Sequence, residues 1–406
     1  MAGKARANGE GSIFPYRNGF AAYVRVTKPD GKRQRKYVYG KTREEVHDKW
    51  LKLHQQAKAG PVATKVPTLN DYLSHWLTEV VAPNLAPSTA TNYDMFVRLY
   101  IAPALGKRRI DKLTVSDVQT WLNKLRDTCQ CCAQGTDESR DRASRRCCAV
   151  GNCCDRVLSD RTSRDAWTTL RNALNSAIRE EFISRNVAAL ARAPKSRTRK
   201  PKPWTADEAR QFLESARVDR DPFYAAYVLI LALGLRRGEA LGLRWEDVDL
   251  DNHQLAISYQ LQRVAGRLLH RETKTEASDA TMPLPDLCLT ALLARKATQD
   301  ADRASVGADW QGSELVFTTK LGTPIEPRNF HRSFKARATK AGVRQLSVHS
   351  TRRTCASLLV ALDVHPRVAM QILRHTQIAV TMNVYSEAPS KATSDALKLL
   401  SQRLDT

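Results

Sequence analysis

Six polar side chains in the C-terminal half of the chain stand in contexts that suit chemistry. Arg236 lies in Gly234-Leu-Arg236-Arg-Gly-Glu239, and Lys274 in Thr273-Lys274-Thr275. His349 and Arg352 share His349-Ser-Thr-Arg352 at the head of a helical stripe with Ala356, Leu359 and Val360. His375 follows in Leu373-Arg-His375, and Tyr385 comes ten residues later. A guanidinium fork fits two anionic oxygens and keeps its charge. Imidazole and amine groups exchange protons, and a phenol of pKa near 10 becomes a nucleophile only when its proton can leave. Each residue alone also has a plainer role: Arg236 with Glu239 as an i,i+3 helix pair, Lys274 as a turn lysine, His349 as a helix cap. There is no clustered Asp/Glu set with two-metal spacing and no glycine-rich phosphate loop, which argues against a metal-dependent nuclease or a nucleotide-driven enzyme.

These residues need a folded frame, and the sequence divides into three candidate domains. Residues 1–60 contain β-type runs at Ser12 to Phe14, Phe20 to Val26 and Lys32 to Tyr39, with a turn signal at Pro29-Asp30-Gly31. A helix follows, with Thr42 and Glu45 in a capping pattern and Val46, Trp50, Leu53 and Ala57 on one stripe. The third strand is strongly basic, so one sheet face is expected to be rich in Arg, Lys and Gln and to suit a DNA groove through Arg25, Lys32, Arg33, Arg35 and Lys36. After a linker at 61–67, residues 68–193 read as all-helical. Their stripes are Leu69, Tyr72, Leu73, Trp76, Leu77 and Val80, then Tyr93, Phe96, Val97 and Tyr100. Val118, Trp121, Leu122 and Leu125 follow, and last Ala166, Leu170, Ala173, Ala177 and Ile178 from about Ser163 to Phe182. A second linker, 194–203, is basic and proline-bounded, and its Arg197, Arg199, Lys200 and Lys202 suit phosphates. The last domain, 204–406, has strand-like stretches around Leu255 to Leu261 and Ala280 to Leu284, with Lys274 at a turn-like junction between them. A tail helix at 391–406 carries Ala396, Leu397, Leu400 and Leu404 on one stripe.

Charge and cysteine content narrow the partners. The formal net charge is +23, from 65 basic and 42 acidic side chains spread over all three segments. A polyanion touched by every domain, double-stranded DNA, is the natural partner. The longest apolar run, Phe223 to Leu235, is shorter than a membrane span, and the N-terminus lacks the apolar segment of a signal peptide. A cytoplasmic location, on the nucleoid when DNA-bound, is expected. Seven of nine cysteines fall in an insertion at 129–154: Cys129, Cys131, Cys132, Cys147, Cys148, Cys153 and Cys154. In a cytosolic chain this density favours metal over disulfides, but adjacent Cys-Cys pairs are awkward for one tetrahedral zinc, so a structural zinc and a loop of reduced thiols stay open.

In this order, G-L-R-x-x-E, a hairpin lysine, H-x-x-R, a histidine and a tyrosine ten residues on, the motifs resemble the tyrosine recombinase (phage integrase) family over nearly the whole chain. The resemblance implies an α+β multidomain fold: a small three-stranded sheet plus helix that binds arm-type DNA, an all-helical core-binding domain, and a mainly helical catalytic domain with a small β-sheet. It implies an integrase of a phage or integrative element that cuts and rejoins DNA through a 3′-phosphotyrosine. Arg236 and Arg352 would clamp the scissile phosphate, Lys274 would protonate the 5′ oxygen, His349 would accept the tyrosine proton, His375 would hold the phosphate and Tyr385 would attack. Glu239 would support Arg236 or its helix. Neither metal nor ATP is implied for this chemistry. The implied partners are core and arm DNA sites, a tetramer on paired sites, an excisionase and a host DNA-bending protein. The alternative is a catalytically silent DNA-binding regulator with the same fold. Three departures are visible: Leu-Arg374-His where the family usually has Leu-Gly-His, Ser350-Thr351 inside H-x-x-R, and Ser386-Glu387 after the tyrosine.

Overall fold

Capping and two-residue alternation account for the first elements. The structure, a computed structural model, describes residues 13–27, 31–60, 66–195, 201–273, 281–374 and 377–385. The chain divides into two compact units, Met1–Arg197 and Thr198–Thr406. In the first, β1 (Phe14–Tyr16), β2 (Gly19–Thr27) and β3 (Arg33–Gly40) form an antiparallel sheet in sequence order. The Thr42 hydroxyl accepts from the Glu45 N–H at 3.1 Å and starts α1 (Arg43–Ala59). Val46, Trp50 and Leu53 of α1 pack on Ala22, Val24 and Val26 of β2.

The register corrects the expected basic face. Arg25 pairs with Arg35, Thr27 with Arg33 and Tyr23 with Tyr37, while Val24 pairs with Lys36 and Val26 with Gln34. Cross-strand partners share a face and neighbours along a strand do not. Arg25, Arg33 and Arg35 therefore share the open face with Tyr23, Tyr37 and Tyr39. Lys36 and Gln34 belong to the face that carries the core residues Val24 and Val26. Burial draws the Lys36 pKa below its ordinary value, with Asp111 opposing this and Arg109 adding to it. On the open face the Arg35 guanidinium lies 4.9 Å from the centre of the Tyr23 ring. Lys32 precedes β3 and is exposed.

The rest of this unit is helical. α2 (Leu69–His75) runs on through a π-helical segment Trp76–Val81 into α3 (Ala82–Asn84). α4 (Pro87–Phe96) does the same through Val97–Ile101 into α5 (Ala102–Leu105). α6 (Val115–Asp127) opens on a reciprocal Thr114–Asp117 capping box. Then come α7 (Gln130–Ala133), α8 (Asp160–Arg179) and α9 (Val187–Leu190). α8 starts earlier than Ser163 because Ser159 caps it, accepting from the Thr162 N–H at 3.1 Å. Buried indoles find acceptors, as they must: Trp121 donates to the Tyr100 carbonyl at 2.9 Å and Trp167 to the Ala188 carbonyl at 2.8 Å.

The second unit is built round α11 (Tyr224–Ala232), buried along Ala225–Leu231, which is why its sequence shows no polar face. Before it lies α10 (Ala206–Val218), and after it the single-turn α12 (Arg237–Leu241). β4 (Val248–Asp249), β5 (Gln254–Ala256) and β8 (Thr281–Pro283) form one small sheet, and β6 (Tyr259–Val264) with β7 (Arg267–Glu272) a separate hairpin. The stretch read as one strand from Leu255 to Leu261 is thus split between two sheets. β7 went unread because Arg267-Leu-Leu-His-Arg-Glu272 does not alternate. The hairpin turns at Ala265-Gly266, both at positive φ as a two-residue loop requires, and Lys274 comes after β7. Lys274 itself lies outside the described residues. α13 (Asp286–Val306), α14 (Pro327–Lys340), α15 (Val348–Ala361), α16 (Pro366–Leu373) and α17 (Ile378–Tyr385) complete the unit. This α+β architecture agrees with the expected fold class. The tail at 391–406 lies outside the described residues, and among those described no helix is long and apolar enough to cross a membrane.

Trp204 closes this core. Its ring centre is 5.0 Å from Phe212 and 5.8 Å from Phe334, and its indole donates to the Arg344 carbonyl at 2.8 Å. Trp204→Ala is expected to destabilise this unit by about 3–5 kcal/mol. Denaturant unfolding followed through the second unit's transition measures it; a loss below about 1 kcal/mol would contradict the packing described.

Candidate active site

The loop between α11 and α12 brings the first arginine into position. Gly234 adopts φ +63, and a Cβ there would lie 2.8 Å from the Leu373 side chain, so both conformation and crowding demand glycine. Two residues on, Arg236 is the N-cap of α12. Its backbone N–H donates to Glu239 Oε2 at 2.9 Å, and its Nη1 donates to Oε1 at 2.5 Å. The Arg236 side chain remains 40% exposed, while that of Glu239 is 3% exposed. The helix pair anticipated from spacing exists and leaves part of Arg236 open to solvent.

Glu239 has a second partner that sequence reasoning missed. Arg374, only 2% exposed, donates from Nη2 to Glu239 Oε2 at 2.8 Å. Its Nη1 reaches the Ile372 carbonyl at 3.1 Å and Met282 Sδ at 2.9 Å, so it ties the end of α16 to β8 as well. Burial alone would raise the Glu239 pKa, but Arg374 and then Arg236 hold it below the ordinary carboxylate value. Arg374 sits at φ +50, ψ +50, at the left-handed C-cap of α16. That backbone explains a glycine preference at this position, and an arginine here costs about 1–2 kcal/mol of backbone energy. The available signal was the departure Leu-Arg374-His itself.

Arg352, on α15, is also buried, and its Nη1 donates to the Gly234 carbonyl at 2.5 Å. It is thereby bonded to the loop that delivers Arg236. Burial, then Arg236 and Arg374, push its pKa down to about 9, with Glu239 opposing. It stays protonated at neutral pH. Among the described residues, Arg236 and Arg374 bond the Glu239 carboxylate and the Arg352 guanidinium lies within electrostatic reach of all three, a gathering of positive charge that suits an oxyanion. His349 is exposed at its surface yet stands at the rim of a dense protein mass. Desolvation, then Arg352 and Arg236, hold its pKa below the usual histidine value. The cap of α15 is Ser347, whose hydroxyl accepts from the Ser350 N–H at 3.1 Å, so His349 is not needed as a cap.

Tyr385 ends α17, which packs on α15 and α16, the helices of Arg352 and of the Arg374 cap. His375 lies outside the described residues, as do Arg197, Arg199 and Lys200 of the linker. Lys202 is exposed. Two other tyrosines of this unit have different surroundings: Tyr227 is buried in the core, with its pKa raised by burial, and Tyr259 on β6 stacks on His270 with ring centres 4.9 Å apart.

Comparisons with known proteins give the family and the fold. The model of the phage integrase family matches residues 203–391, and that of the phage integrase N-terminal SAM-like domain matches 68–126; together they span more than half of the chain. Residues 127–202 lie between the two matches. The chain is 25% identical to an integrase of Saccharopolyspora erythraea over 92% of each chain. It is also 25% identical to a tyrosine recombinase XerC-like protein of Caldanaerobacter subterraneus, over 93% of this chain and 95% of that one. Its fold is similar to that of the Tn1549 transposon integrase solved with transposon right-end DNA, with a TM-score of 0.64 and 19% identity over 82% of this chain and 99% of that one.

Arg374→Ala removes half of the charge facing a buried carboxylate. It is expected to cost about 3–5 kcal/mol of unfolding free energy. Arg374→Gly should recover about 1 kcal/mol of that loss by relieving the left-handed backbone. Equal stability of wild type and Arg374→Ala in denaturant titrations would remove the pair from the site's supports.

Proposed function

The chain belongs to the phage integrase family and is a site-specific tyrosine recombinase, and from that premise we propose which of its residues carry the strand exchange. The observation that carries the reading is the gathering of three arginines, Arg236 and Arg374 bonded to the buried Glu239 and Arg352 bonded to the Gly234 carbonyl of the same loop, with His349 beside them and the helix ending in Tyr385 packed on α15. In this reading Arg236 and Arg352 hold the nonbridging oxygens of a DNA phosphodiester, where negative charge grows during attack. Glu239 and Arg374 are positioning residues that fix Arg236.

Tyr385 Oη attacks phosphorus, and its proton passes to His349, whose pKa burial and then the neighbouring Arg352 and Arg236 lower. The bond to the 5′ oxygen breaks, and Lys274 protonates that leaving group. His375 donates a hydrogen bond to the phosphate. The 3′-phosphotyrosine keeps the energy of the broken bond, so a 5′ hydroxyl from another strand reverses the step without ATP and without a metal ion.

DNA recognition is distributed. The open sheet face, with Arg25, Arg33, Arg35, Tyr37 and Tyr39, suits arm-type DNA, since cationic forks and aromatic rings serve phosphate and base contacts together. The basic linker, with Arg197, Arg199, Lys200 and Lys202, lies along phosphates. Two duplexes exchanged strand by strand call for a tetramer, with the tail at 391–406 docking on a neighbouring subunit. An excisionase and a host DNA-bending protein set direction. The enzyme works in the bacterial cytoplasm, on the nucleoid.

Tyr385→Phe should bind core-site DNA as wild type does and form no covalent adduct on a nicked suicide substrate in a denaturing gel. A persisting adduct would move the nucleophile elsewhere, and a wild-type protein that never forms one would favour the silent DNA-binding regulator. Lys274→Ala should cleave roughly 10²- to 10⁴-fold more slowly. A substrate with sulfur at the 5′ bridging position, whose thiolate leaves without a proton, should restore cleavage in Lys274→Ala far more than in Arg236→Ala. Equal rescue of both variants would sink the lysine's assignment.

A further inference from the structure

Seven cysteines outside the catalytic unit are gathered in one place. They lie between α6 and α8, in the stretch that neither family match covers. Their Sγ atoms form three groups within 4.8 Å of one another: Cys129, Cys132 and Cys153; Cys131, Cys147 and Cys148; and Cys129, Cys147 and Cys154. Sγ separations are 3.6 Å for Cys132–Cys153, 3.7 Å for Cys129–Cys154 and 3.9 Å for Cys131–Cys148. A disulfide needs ~2.05 Å. The edge of a zinc–thiolate tetrahedron with ~2.3 Å bonds is about 3.8 Å.

We propose that the insertion binds two zinc ions that share one thiolate. Cys129, Cys132 and Cys153 hold the first ion, and Cys131, Cys147 and Cys148 the second. Each triad lacks one corner of a tetrahedron. Cys154 is the remaining sulfur, and it groups with Cys129 of one triad and Cys147 of the other. As a bridge it would complete both sites, its sulfur drawn in from Cys129 and Cys147 toward the other members of each triad as the ions bind, and two tetrahedra sharing a corner use seven ligands. The assignment also resolves the difficulty of adjacent cysteines, because Cys131 and Cys132 serve different ions.

The surroundings fit thiolates. The Cys154 N–H donates to Cys147 Sγ at 3.1 Å and the Asp155 N–H to Cys153 Sγ at 3.4 Å. Asp137, fully buried, accepts from the Cys147 N–H at 2.8 Å, the Arg146 N–H at 3.2 Å and Arg140 Nη1 at 2.7 Å, and so shapes the Cys147-Cys148 turn. Two divalent ions with seven thiolates leave an excess of negative charge, and Arg142, Arg145 and Arg146 stand within the insertion and Arg156 just after it to offset that charge. The insertion also needs such a staple. Its buried apolar cluster consists of Cys129, Cys131 and Cys147 with Cys148 against them, while Val150 and Val157 are exposed. A segment this short without an aliphatic core folds when metal binding supplies the missing free energy, releasing the thiol protons to solvent.

The test uses the full chain purified under reducing conditions. Elemental analysis should find about two zinc ions per chain. On replacement by cobalt(II), the first equivalent should give a thiolate charge-transfer band and a paramagnetic signal. The second equivalent should strengthen the band and weaken the signal, because a shared sulfur couples the two ions magnetically. Cys154→Ser should abolish that coupling, while Cys288→Ser, outside the insertion, should leave both readouts unchanged. One zinc or none per chain, disulfides detected by mass, or two uncoupled cobalt ions would each overturn the proposal. If Cys154→Ser does not fold, the wild-type cobalt titration still decides.

Discussion

A buried carboxylate shared by two arginines is the constraint on which the catalytic unit depends. Guanidiniums repel one another, and burial magnifies the repulsion by removing water. Glu239 offsets this from beneath, bonding Arg236 on one side and Arg374 on the other. The Gly234 carbonyl does the same for Arg352 without adding charge. Among the described residues the result is a cluster of cationic side chains held in place around one carboxylate, and preorganised charge of this kind is what the proposed chemistry requires of the site.

The surrounding architecture serves that arrangement. α11 is sheathed on all sides, so the loop that follows it starts from a fixed point. Gly234 lets the loop pass under Leu373 and Cys355, bringing α12 against the α16 cap. Gly242 permits a similar approach at the other end of α12, where a Cβ would meet the β6 backbone at 2.7 Å. Arg374 then couples α12, α16 and β8, elements far apart in sequence, and its strained backbone is tolerated because the ion pair compensates it.

The two halves of the chain organise polar groups by different means. In Thr198–Thr406 a large apolar core pins a few charged side chains. In the insertion the order reverses: a small set of polar and sulfur atoms, with Asp137 at the centre of the backbone bonds, takes the place of a core. The amino-terminal sheet lies between these extremes, with one face apolar against α1 and the other left to arginine and tyrosine.

Local physics was legible in the sequence. Thr42, three residues before Glu45, caps a helix as the spacing predicts, and the stripe read from 3.6-residue spacing at Val118, Trp121, Leu122 and Leu125 is buried. Both signals act within a few residues, so composition and spacing suffice. The order of Arg236, His349 and Arg352 was equally visible, as a resemblance. The face occupied by Lys36 was within reach of simple alternation, yet the run of basic residues obscured it. The tertiary structure alone decided the link between Glu239 and Arg374, 135 positions apart, and the division of the cysteines into interlocking groups. A buried ion pair or a sulfur cluster has no periodicity along the chain. Its partners are selected by three-dimensional closure, where desolvation makes an unpaired charge too costly to leave alone.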